Sequence, residues 1–302
     1  MSSAGTGPTL HSPERVAIII VSFQTDLQKL LQRIQPIAQS GYLHIIVDNT
    51  PGKPVASRSQ IAPNVEYLPL GENFGIAAAL NSGVKEARAL KKQYIFTFDQ
   101  DSEFDGRTIS LLVNEYVQLR QQEFPASHPL AIGPHPINKN TGASYLRRKD
   151  RLRLKFHTGE LLTVNEIITS GLLADDLTYA SVGPYREDLF IDFVDHEWCW
   201  RLRSQGGTCL VNLSTPLPHM VGSGDIPLTF GMKLGSENRV YFLFRNGLTL
   251  ILARKMPLFD SVKFLILIPA KLLIFALMPD RKARWRYAFR GLVDGWRRTV
   301  HR

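Results

Sequence analysis

Residues 94–102 read YIFTFDQDS, an apolar run that ends in two carboxylates, Asp99 and Asp101. The run predicts a buried β-strand, with both acids just beyond its carboxyl end. On an extended segment their side chains point the same way, so the like charges lie close together at a cost in free energy. A hard divalent cation, Mg²⁺ or Mn²⁺, relieves that cost and can also hold a diphosphate. An isolated pair of this kind is nevertheless more often a solvated turn or helix cap.

The chain before this strand alternates between strand and helix patterns. Strands are predicted at residues 16–23, 43–47 and 65–70, and helices at residues 27–37 and 76–90. Such alternation predicts parallel βαβ units, hence an α/β fold with a Rossmann-like, mostly parallel sheet flanked by helices. Ligands of these sheets bind beyond the carboxyl ends of the strands, which is where Asp48, Asn49, Asp99 and Asp101 all fall.

Polar and small residues follow the second and third strands. VDNTP (47–51) ends the second strand, and ENFGIAAALNSG (72–83) supplies Asn73, Gly75 and Asn81. Asparagine can both donate to and accept from a base or ribose, and glycine lets a ligand approach the backbone closely. Turn chemistry and a helix packed tightly on the sheet would explain the same residues.

The second half of the chain is less regular. Strands are predicted at residues 128–134, 166–174 and 208–213, a helix at 194–204, and an exposed basic hairpin or loop at 147–155.

A second acidic cluster lies in LFIDFVDHEWCWRLRSQGG (189–207), where Asp192, Asp195 and Glu197 adjoin Trp198 and Trp200. A carboxylate beside aromatic rings can act as a general base, and a tryptophan face can stack on a sugar. Acids favoured by a helix dipole and an ordinary pair between Glu197 and Arg201 would also account for the pattern. Further on, His219 follows a strand and precedes a glycine-rich loop, so it is a candidate third metal ligand beside the aspartate pair.

Charge and hydropathy set the C-terminus apart. The net charge of the 302 residues is +9, and residues 280–302 carry eight basic and two acidic residues. The preceding apolar segment, 257–279, is cut by Pro269 and Lys271 into charge-free stretches that are each too short to span a bilayer. We therefore expect association with an anionic membrane surface through residues 257–302.

Written as a helix, the last residues form an apolar stripe opposite the basic ones. The stripe comprises Trp285, Phe289, Leu292, Trp296 and Val300. This pattern is typical of a helix lying in a membrane interface, although packing against the rest of the chain would also produce it.

Cysteine content and the N-terminus indicate the compartment. Two cysteines, Cys199 and Cys209, do not make a disulfide framework, and the first residues lack the pattern of a secretory signal. We expect a cytoplasmic protein with a flexible N-terminus over residues 1–14.

The motifs VSFQT, VDNTP, ENFGIAAALNSG, FDQDS, ITSGLL, FIDFVDHEWCWR, PHMVGSG and RVYFLFRN occur in that order. The series resembles the inverting family 2 glycosyltransferases of GT-A fold, most closely the bacterial rhamnosyltransferases of polysaccharide and O-antigen assembly. The resemblance covers about residues 15–250, and an ordered series is far more specific than any single motif.

The resemblance implies roles for the candidate residues. Nucleotide-sugar contacts would come from Ser22, Asp48, Asn73, Gly75, Asn81 and Asp99. A Mg²⁺ or Mn²⁺ ion would be held by Asp101, His219 and Asp99, and the acceptor or sugar pocket would be lined by Gly171, Glu197, Trp198 and Arg201. Asp195 would be the catalytic base. Val194 departs from the glutamate common in the family, so Asp192 is an alternative base, and Gln24 stands where many members have asparagine.

The implied enzyme is a metal-dependent hexosyltransferase that moves a sugar, L-rhamnose from dTDP-L-rhamnose, to a hydroxyl of a lipid-linked saccharide in lipopolysaccharide or other surface polysaccharide synthesis. A catalytic domain at residues 15–232 and a membrane-associating region at 233–302 would sit on the inner face of the bacterial plasma membrane, with a homo-oligomer possible and no nucleic acid bound. Alternatives are transfer of galactofuranose or N-acetylglucosamine, a nucleotidyltransferase, and a peripheral membrane adaptor without catalysis.

Overall fold

The computed structural model describes residues 11–52, 54, 59–146, 161–219, 237–278 and 280–300. The basic segment at 147–155 and the glycine-rich loop after His219 lie outside these residues. So do residues 1–10 of the predicted flexible N-terminus. The remainder of that N-terminus is packed on the domain, because His11 is buried and hydrogen-bonds Asn114 (2.9 Å) and Tyr42 (3.1 Å).

A single sheet organises the described residues. Its nine strands are β1 (Val16–Ser22), β2 (Leu43–Asp48), β3 (Ser59–Ala62), β4 (Val65–Pro69), β5 (Tyr94–Asp99), β6 (Leu130–Asn138), β7 (Leu161–Val164), β8 (Leu172–Asp175) and β9 (Thr208–His219). They lie in the order β3-β4-β2-β1-β5-β8-β6-β9-β7.

The predicted α/β sheet is confirmed, but it is mixed rather than mostly parallel. Strands β4, β2, β1 and β5 run parallel, as the βαβ alternation predicts. Beyond them β8 is antiparallel to both β5 and β6, and β7 is antiparallel to β9. The predicted strand at 166–174 is wrong in its first half: residues 166–171 form a loop, and β8 begins only at Leu172.

Helices cover both faces of the sheet. They are α1 (Leu27–Gln39), α2 (Ile76–Ala89), α3 (Gly106–Gln122), α4 (Asp176–Val182), α5 (Val194–Ser204), α6 (Glu237–Leu252), α7 (Leu258–Ala276) and α8 (Arg281–Val300). Alternate residues of β1 enter two separate cores, Ile19 packing with α2 and α5 and Ile18 with α1 and α3. Burial of β1 on both faces explains its unbroken apolar sequence.

The C-terminal helices pack on one another and on the core beside the nine-stranded sheet. Leu250 of α6 belongs to the same core as α2 and α5. Helix α8 lies against α6 through small residues, since a Cβ on Gly291 or Gly295 would come within 2.7 Å or less of an α6 carbonyl oxygen. Among the described residues no helix is both long and apolar enough to cross a bilayer.

The predicted stripe on α8 is divided between core and solvent. Trp285 and Leu292 pack against the cluster around Phe244. Phe289 and Trp296 are 52% and 57% exposed, and the side chain of Val300 lies outside the described residues. Packing on α6 therefore uses a small-residue face beside the aromatic stripe and leaves two large rings in solvent.

Candidate active site

Three parallel strands deliver polar side chains to one rim. Ser22 at the end of β1 is level with Asp48 at the end of β2, and Val21 is level with Asp99 at the end of β5. The sequence prediction that these strand ends share an edge is confirmed by that register.

Asp99 is tied to the loop that precedes β8. Ser170 Oγ donates to Asp99 Oδ2 at 2.5 Å, and Ser102 Oγ donates in turn to Ser170 Oγ at 2.9 Å. Burial raises the pKa of Asp99, and the nearby carboxylate of Asp101 raises it further, while Ser170 and His219 oppose the shift. Asp99 therefore stands in a partly dry site beside both other predicted metal ligands.

The glutamine between the two acids has a structural role. Gln100 Oε1 accepts from the N–H of Phe23 (2.6 Å) and from the hydroxyl of Thr25, and its carbonyl accepts from the guanidinium of Arg33. These bonds fix the loop after β1 against the loop after β5.

The predicted nucleotide contacts lie on the rim beside β2. Asp48 accepts from the hydroxyl of Tyr67 (2.5 Å) and the N–H of Thr50 (3.1 Å). Asn73 Oδ1 accepts from Asn49 Nδ2 (3.0 Å) and from the N–H of Gly75 (3.0 Å). These hydrogen bonds hold the loop after β2 against the loop after β4 at the rim.

Gly75 connects this half of the rim to the acidic cluster. Its φ is +86°, and a Cβ there would lie 2.5 Å from the carbonyl oxygen of Phe190. The N–H of Ile76, the first residue of α2, donates to that same oxygen at 2.7 Å. The glycine is therefore required for close contact between two protein segments, not only for ligand approach.

Asn81 of α2 hydrogen-bonds the segment that follows α4. Its side-chain amide donates to the carbonyl of Tyr185 (2.9 Å) and to Glu187 (2.9 Å) and accepts from the N–H of Tyr185 (2.8 Å). These hydrogen bonds dock α2 on the 185–190 segment, and the nucleotide contact of Asn81 stays a prediction.

Asp195 lies in the first turn of α5 and is largely buried. Its Oδ1 accepts from the backbone N–H (2.9 Å) and ring Nδ1 (2.8 Å) of His196, and its Oδ2 accepts from the N–H of Thr169 (3.2 Å). Burial disfavours the charged form, but the charge and hydrogen bonds of His196 together hold the pKa of Asp195 below its ordinary value.

His196 stands between two carboxylates. Its Nε2 lies 3.1 Å from Glu166 Oε2, on the side opposite Asp195, and Trp200 Nε1 donates to the other oxygen of Glu166 at 3.0 Å. Burial lowers the pKa of His196, yet Asp195 and Glu166 outweigh it and raise that pKa well above its ordinary value. Carboxylate oxygens therefore face both ring nitrogens, an arrangement that favours the imidazolium form.

Asp192, the alternative base, is paired with a cation from α6. Arg239 donates to Asp192 Oδ1 at 2.7 Å, while Oδ2 is buried without a hydrogen-bond partner among the described residues. Burial opposes the charge of Arg239, but the bond with Asp192 and the nearby Asp99 and Asp195 raise its pKa. Arg239 thus stands among three acidic residues of the site.

The segment that carries Asp192 is strained and externally supported. Phe190, Asp192 and Phe193 all have positive φ, between 62° and 66°. Asn246 Nδ2 of α6 donates to the carbonyls of Leu189 (2.8 Å), Ile191 (2.7 Å) and Asp192 (3.1 Å). Such a conformation persists only where neighbouring groups hold it. Asn246 of α6 is therefore part of the site.

A cavity of about 300 Å³ opens beside this cluster, between the sheet and α7. Aromatic walls come from Tyr145, Phe193 and Trp200, and polar groups from Glu166 and His196. Helix α7 closes the other side with Asp260, Lys263, Phe264 and Leu267. Aromatic faces beside charged groups suit a polyhydroxylated ligand.

The predicted sugar pocket is wrong in most of its residues. Trp198 is 0% exposed, packs on Tyr179 and Tyr185, and donates to the carbonyl of Gly183 at 3.0 Å, so it cannot stack on a sugar. Buried Glu197 pairs with Arg201 at 3.0 Å, and both support the segment after α4.

Gly171 forms a turn rather than a pocket wall. Its φ is +91°, and a Cβ would lie 2.5 Å from the ring of Pro134. The turn sets Thr169 against Asp195 and Ser170 against Asp99, so it links the two acidic centres.

The predicted metal ligands have suitable chemistry but are not assembled. Two carboxylates and an imidazole suit Mn²⁺ or Mg²⁺, and Asp101 and His219 both lie close enough to Asp99 to shift its pKa. Across the described ranges, however, no three acidic, histidine or cysteine side chains form a ready metal cluster. The donor set fits a divalent ion that would draw the ligands together.

Several site residues escaped the sequence analysis. Glu166, His196 and Arg239 were not singled out as site residues, and neither were Phe23 and Phe74, which are 37% and 49% exposed on loops at the rim. An aromatic residue in a loop just past a strand was the available signal for the two phenylalanines. For His196 the available signal was its place directly after Asp195. No local pattern distinguishes Glu166 and Arg239, because their partners are distant in sequence.

These features define a mixed α/β fold with a cluster of acidic residues around Asp195, and residues 18–129 match the sequence model of Glycosyl transferase family 2. This match agrees with the family that the ordered motifs resemble. The chain is similar to dTDP-rhamnosyl transferase RfbF of Shigella flexneri, at 26% identity over 252 residues that cover 81% of this chain and 82% of that protein.

A solved structure shows the fold relationship. The crystal structure of GalNAc-T7 with UDP, GalNAc and Mn²⁺ aligns with a TM-score of 0.54 and 12% identity over 82% of this chain. This chain spans about half of that protein, 54% of its length.

Proposed function

We propose that the protein is an inverting rhamnosyltransferase that transfers L-rhamnose from dTDP-L-rhamnose to a hydroxyl of a lipid-linked saccharide. The observation that carries the proposal is the loop that links Asp99 to Asp195. Two neighbouring residues of this loop hydrogen-bond the two carboxylates: Ser170 donates to Asp99 at the rim, and Thr169 donates to Asp195, the candidate base. Similarity to a dTDP-rhamnosyl transferase supports the choice of donor.

In the proposed reaction, Asp195 accepts the proton of the acceptor hydroxyl as that oxygen attacks the anomeric carbon. The bond to the nucleoside diphosphate breaks on the opposite side, so the configuration at that carbon inverts. Oδ1 of Asp195 already accepts two hydrogen bonds and Oδ2 only one. A carboxylate has about four lone-pair sites, so Oδ2 is the oxygen proposed to take the proton.

Other residues would bind and orient the donor. Asp48 and Asp99 would contact the base and ribose from adjacent strand ends, with Ser22, Asn73 and Gly75 near the nucleotide. Asp101 and His219 would hold a divalent metal ion, which when bound neutralises negative charge on the leaving diphosphate. Asp192 is retained as the alternative base, although its pairing with Arg239 favours Asp195 for that role.

The acceptor is proposed to enter the cavity under α7, and α7 and α8 to rest on the anionic inner surface of the plasma membrane. Support comes from exposed leucines at the two ends of α7, since Leu258 is 81% exposed and Leu277, directly after the helix, is 70% exposed. Arginines on α8 would attract anionic headgroups.

The test is a donor screen with the full chain and a bacterial lipid extract as acceptor source. We expect nucleoside diphosphate release with dTDP-L-rhamnose to exceed that with UDP-galactofuranose or UDP-N-acetylglucosamine by at least about 10-fold. Preference for another donor would overturn the rhamnosyl assignment. Pyrophosphate release from a sugar phosphate and a nucleoside triphosphate would identify a nucleotidyltransferase instead.

A further inference from the structure

Glu166, His196 and Asp195 form a continuous chain of hydrogen bonds from the cavity to the proposed base. His196 Nε2 lies 3.1 Å from Glu166, and His196 Nδ1 lies 2.8 Å from Asp195. Trp200 Nε1 donates to the other oxygen of Glu166 at 3.0 Å, and this bond fixes Glu166 in place. The helix α5 supplies both His196 and Trp200, one turn apart on the same face.

We propose that His196, held by Glu166, is a positioning residue that keeps Asp195 ionised and directs its Oδ2 toward the acceptor hydroxyl. This inference rests on the proposed role of Asp195 as base. The backbone N–H and the ring Nδ1 of His196 both hydrogen-bond Oδ1 of Asp195. With Thr169 bound to Oδ2, the carboxylate cannot rotate without breaking a hydrogen bond.

Glu166 makes this arrangement possible. A neutral imidazole carries a proton on only one nitrogen, whereas an imidazolium donates at both. The second carboxylate stabilises the doubly protonated ring, and Trp200 satisfies the oxygen that His196 does not use. Without Glu166, burial would favour the neutral ring and weaken its hold on Asp195.

Other ionisable groups also face this chain and are the same in the wild-type protein and in each variant. Those near Asp195 are Asp99 from β5, Arg239 from α6, Tyr185 from the segment after α4, and Cys199 from α5. Asp260 and Lys263 of α7 line the same cavity as Glu166 and His196.

The first test is the pH dependence of kcat/KM for His196→Asn with dTDP-L-rhamnose. Asparagine can replace the Nδ1 donor but not the charge. We expect the acid limb, set by protonation of Asp195, to move up by about one pH unit, because the carboxylate loses a neighbouring cation. The matched control is His128→Asn, the same change at the opposite end of the sheet, where the ring of His128 hydrogen-bonds Thr208 and stacks on Phe124. We expect its acid limb to be unmoved.

A uniform loss of kcat/KM at every pH, with the acid limb in place, would show that His196 is merely structural and would overturn the proposal. Thermal unfolding and calorimetric binding of dTDP verify that each variant is folded.

The second test needs no enzymatic activity. In ¹⁵N-histidine NMR, we expect His196 to remain an imidazolium up to at least about pH 8 in the wild-type protein, with its signal assigned by its loss in His196→Asn. In Glu166→Gln its midpoint should fall by at least about one pH unit. A wild-type midpoint near 6.5, or one unaffected by Glu166→Gln, would contradict the proposal. Since this titration is read without substrate, failure of the rhamnosyl assignment and failure of this inference are distinguishable.

Discussion

At the scale of single residues, the two tryptophans of α5 face different parts of the molecule. Trp198 is fully buried against Tyr179 and Tyr185, whereas Trp200 lines the cavity. Residues two apart on a helix point to different faces, so the sequence WCW predicts that one ring faces the core without indicating which. Only the packing of α5 on the sheet decides this, and the sugar-stacking role predicted for Trp198 failed for that reason.

Asp101 provides a prediction at the same scale. Because Asp99 and Asp101 repel each other and the former is partly dry, a divalent ion should bind there with the nucleotide diphosphate. Exhaustive chelation should therefore abolish sugar transfer, and Mn²⁺ or Mg²⁺ should restore it. Asp101→Asn should weaken the metal dependence, read as a rise of at least about 10-fold in the metal concentration for half-maximal rate. Full activity after chelation would remove the metal from the account.

At the scale of elements, the strands were predictable and the supported loop was not. The predicted β1, β2, β4 and β5 agree with the structure to within one residue at each end, because buried parallel strands read as continuous apolar runs. The prediction of a strand over residues 166–171 was wrong because Ile167 is buried in the core although its backbone forms a loop.

The strained segment at 188–193 depends on α6, more than fifty residues away, so no local pattern could reveal it. Asn246→Ala would remove the side-chain donor of the Ile191 and Asp192 carbonyls, while the carbonyl of Leu189 would keep its bond from Arg245. We expect a loss of about 1–3 kcal/mol in the free energy of unfolding, together with a fall in kcat larger than about 10-fold because Asp192 and Asp195 shift.

Asn238→Ala is the matched control for this prediction, since Asn238 is exposed in the first turn of the same helix. Urea unfolding and steady-state kinetics measure the two effects. Wild-type kcat in a destabilised Asn246→Ala protein would show that the segment does not position the site.

At the scale of the whole molecule, the C-terminal helices combine support of the site with an exposed apolar surface. Arg239 and Asn246 of α6 contact the acidic segment, and α7 closes the cavity. Truncation near residue 256 would uncover Phe244, which is buried against Phe275 of α7. Point substitutions on the exposed face of α7 are therefore the better probe of membrane binding.

Leu273 of α7 and Leu277, the residue directly after the helix, are 66% and 70% exposed. In flotation with anionic liposomes, we expect the wild-type protein to float and Leu273→Asp/Leu277→Asp to remain mostly at the bottom, because charged groups resist entry into the interface. Leu177→Asp, the same change at an exposed leucine of α4, should float like the wild type. Equal flotation of all three proteins, or none by any, would exclude this face as the anchor.

The central claim is that Asp195 is the base of a sugar transfer from a nucleotide donor, and turnover of Asp195→Asn tests it most directly. Asparagine keeps the shape of the side chain but cannot take the proton. We expect kcat with dTDP-L-rhamnose to fall by about 10² to 10⁴-fold while the calorimetric affinity for the donor stays within about 3-fold of wild type. Asp192→Asn, measured beside it, should lose less than Asp195→Asn. A nearly active Asp195→Asn protein beside an inactive Asp192→Asn protein would contradict the account and assign the base to Asp192.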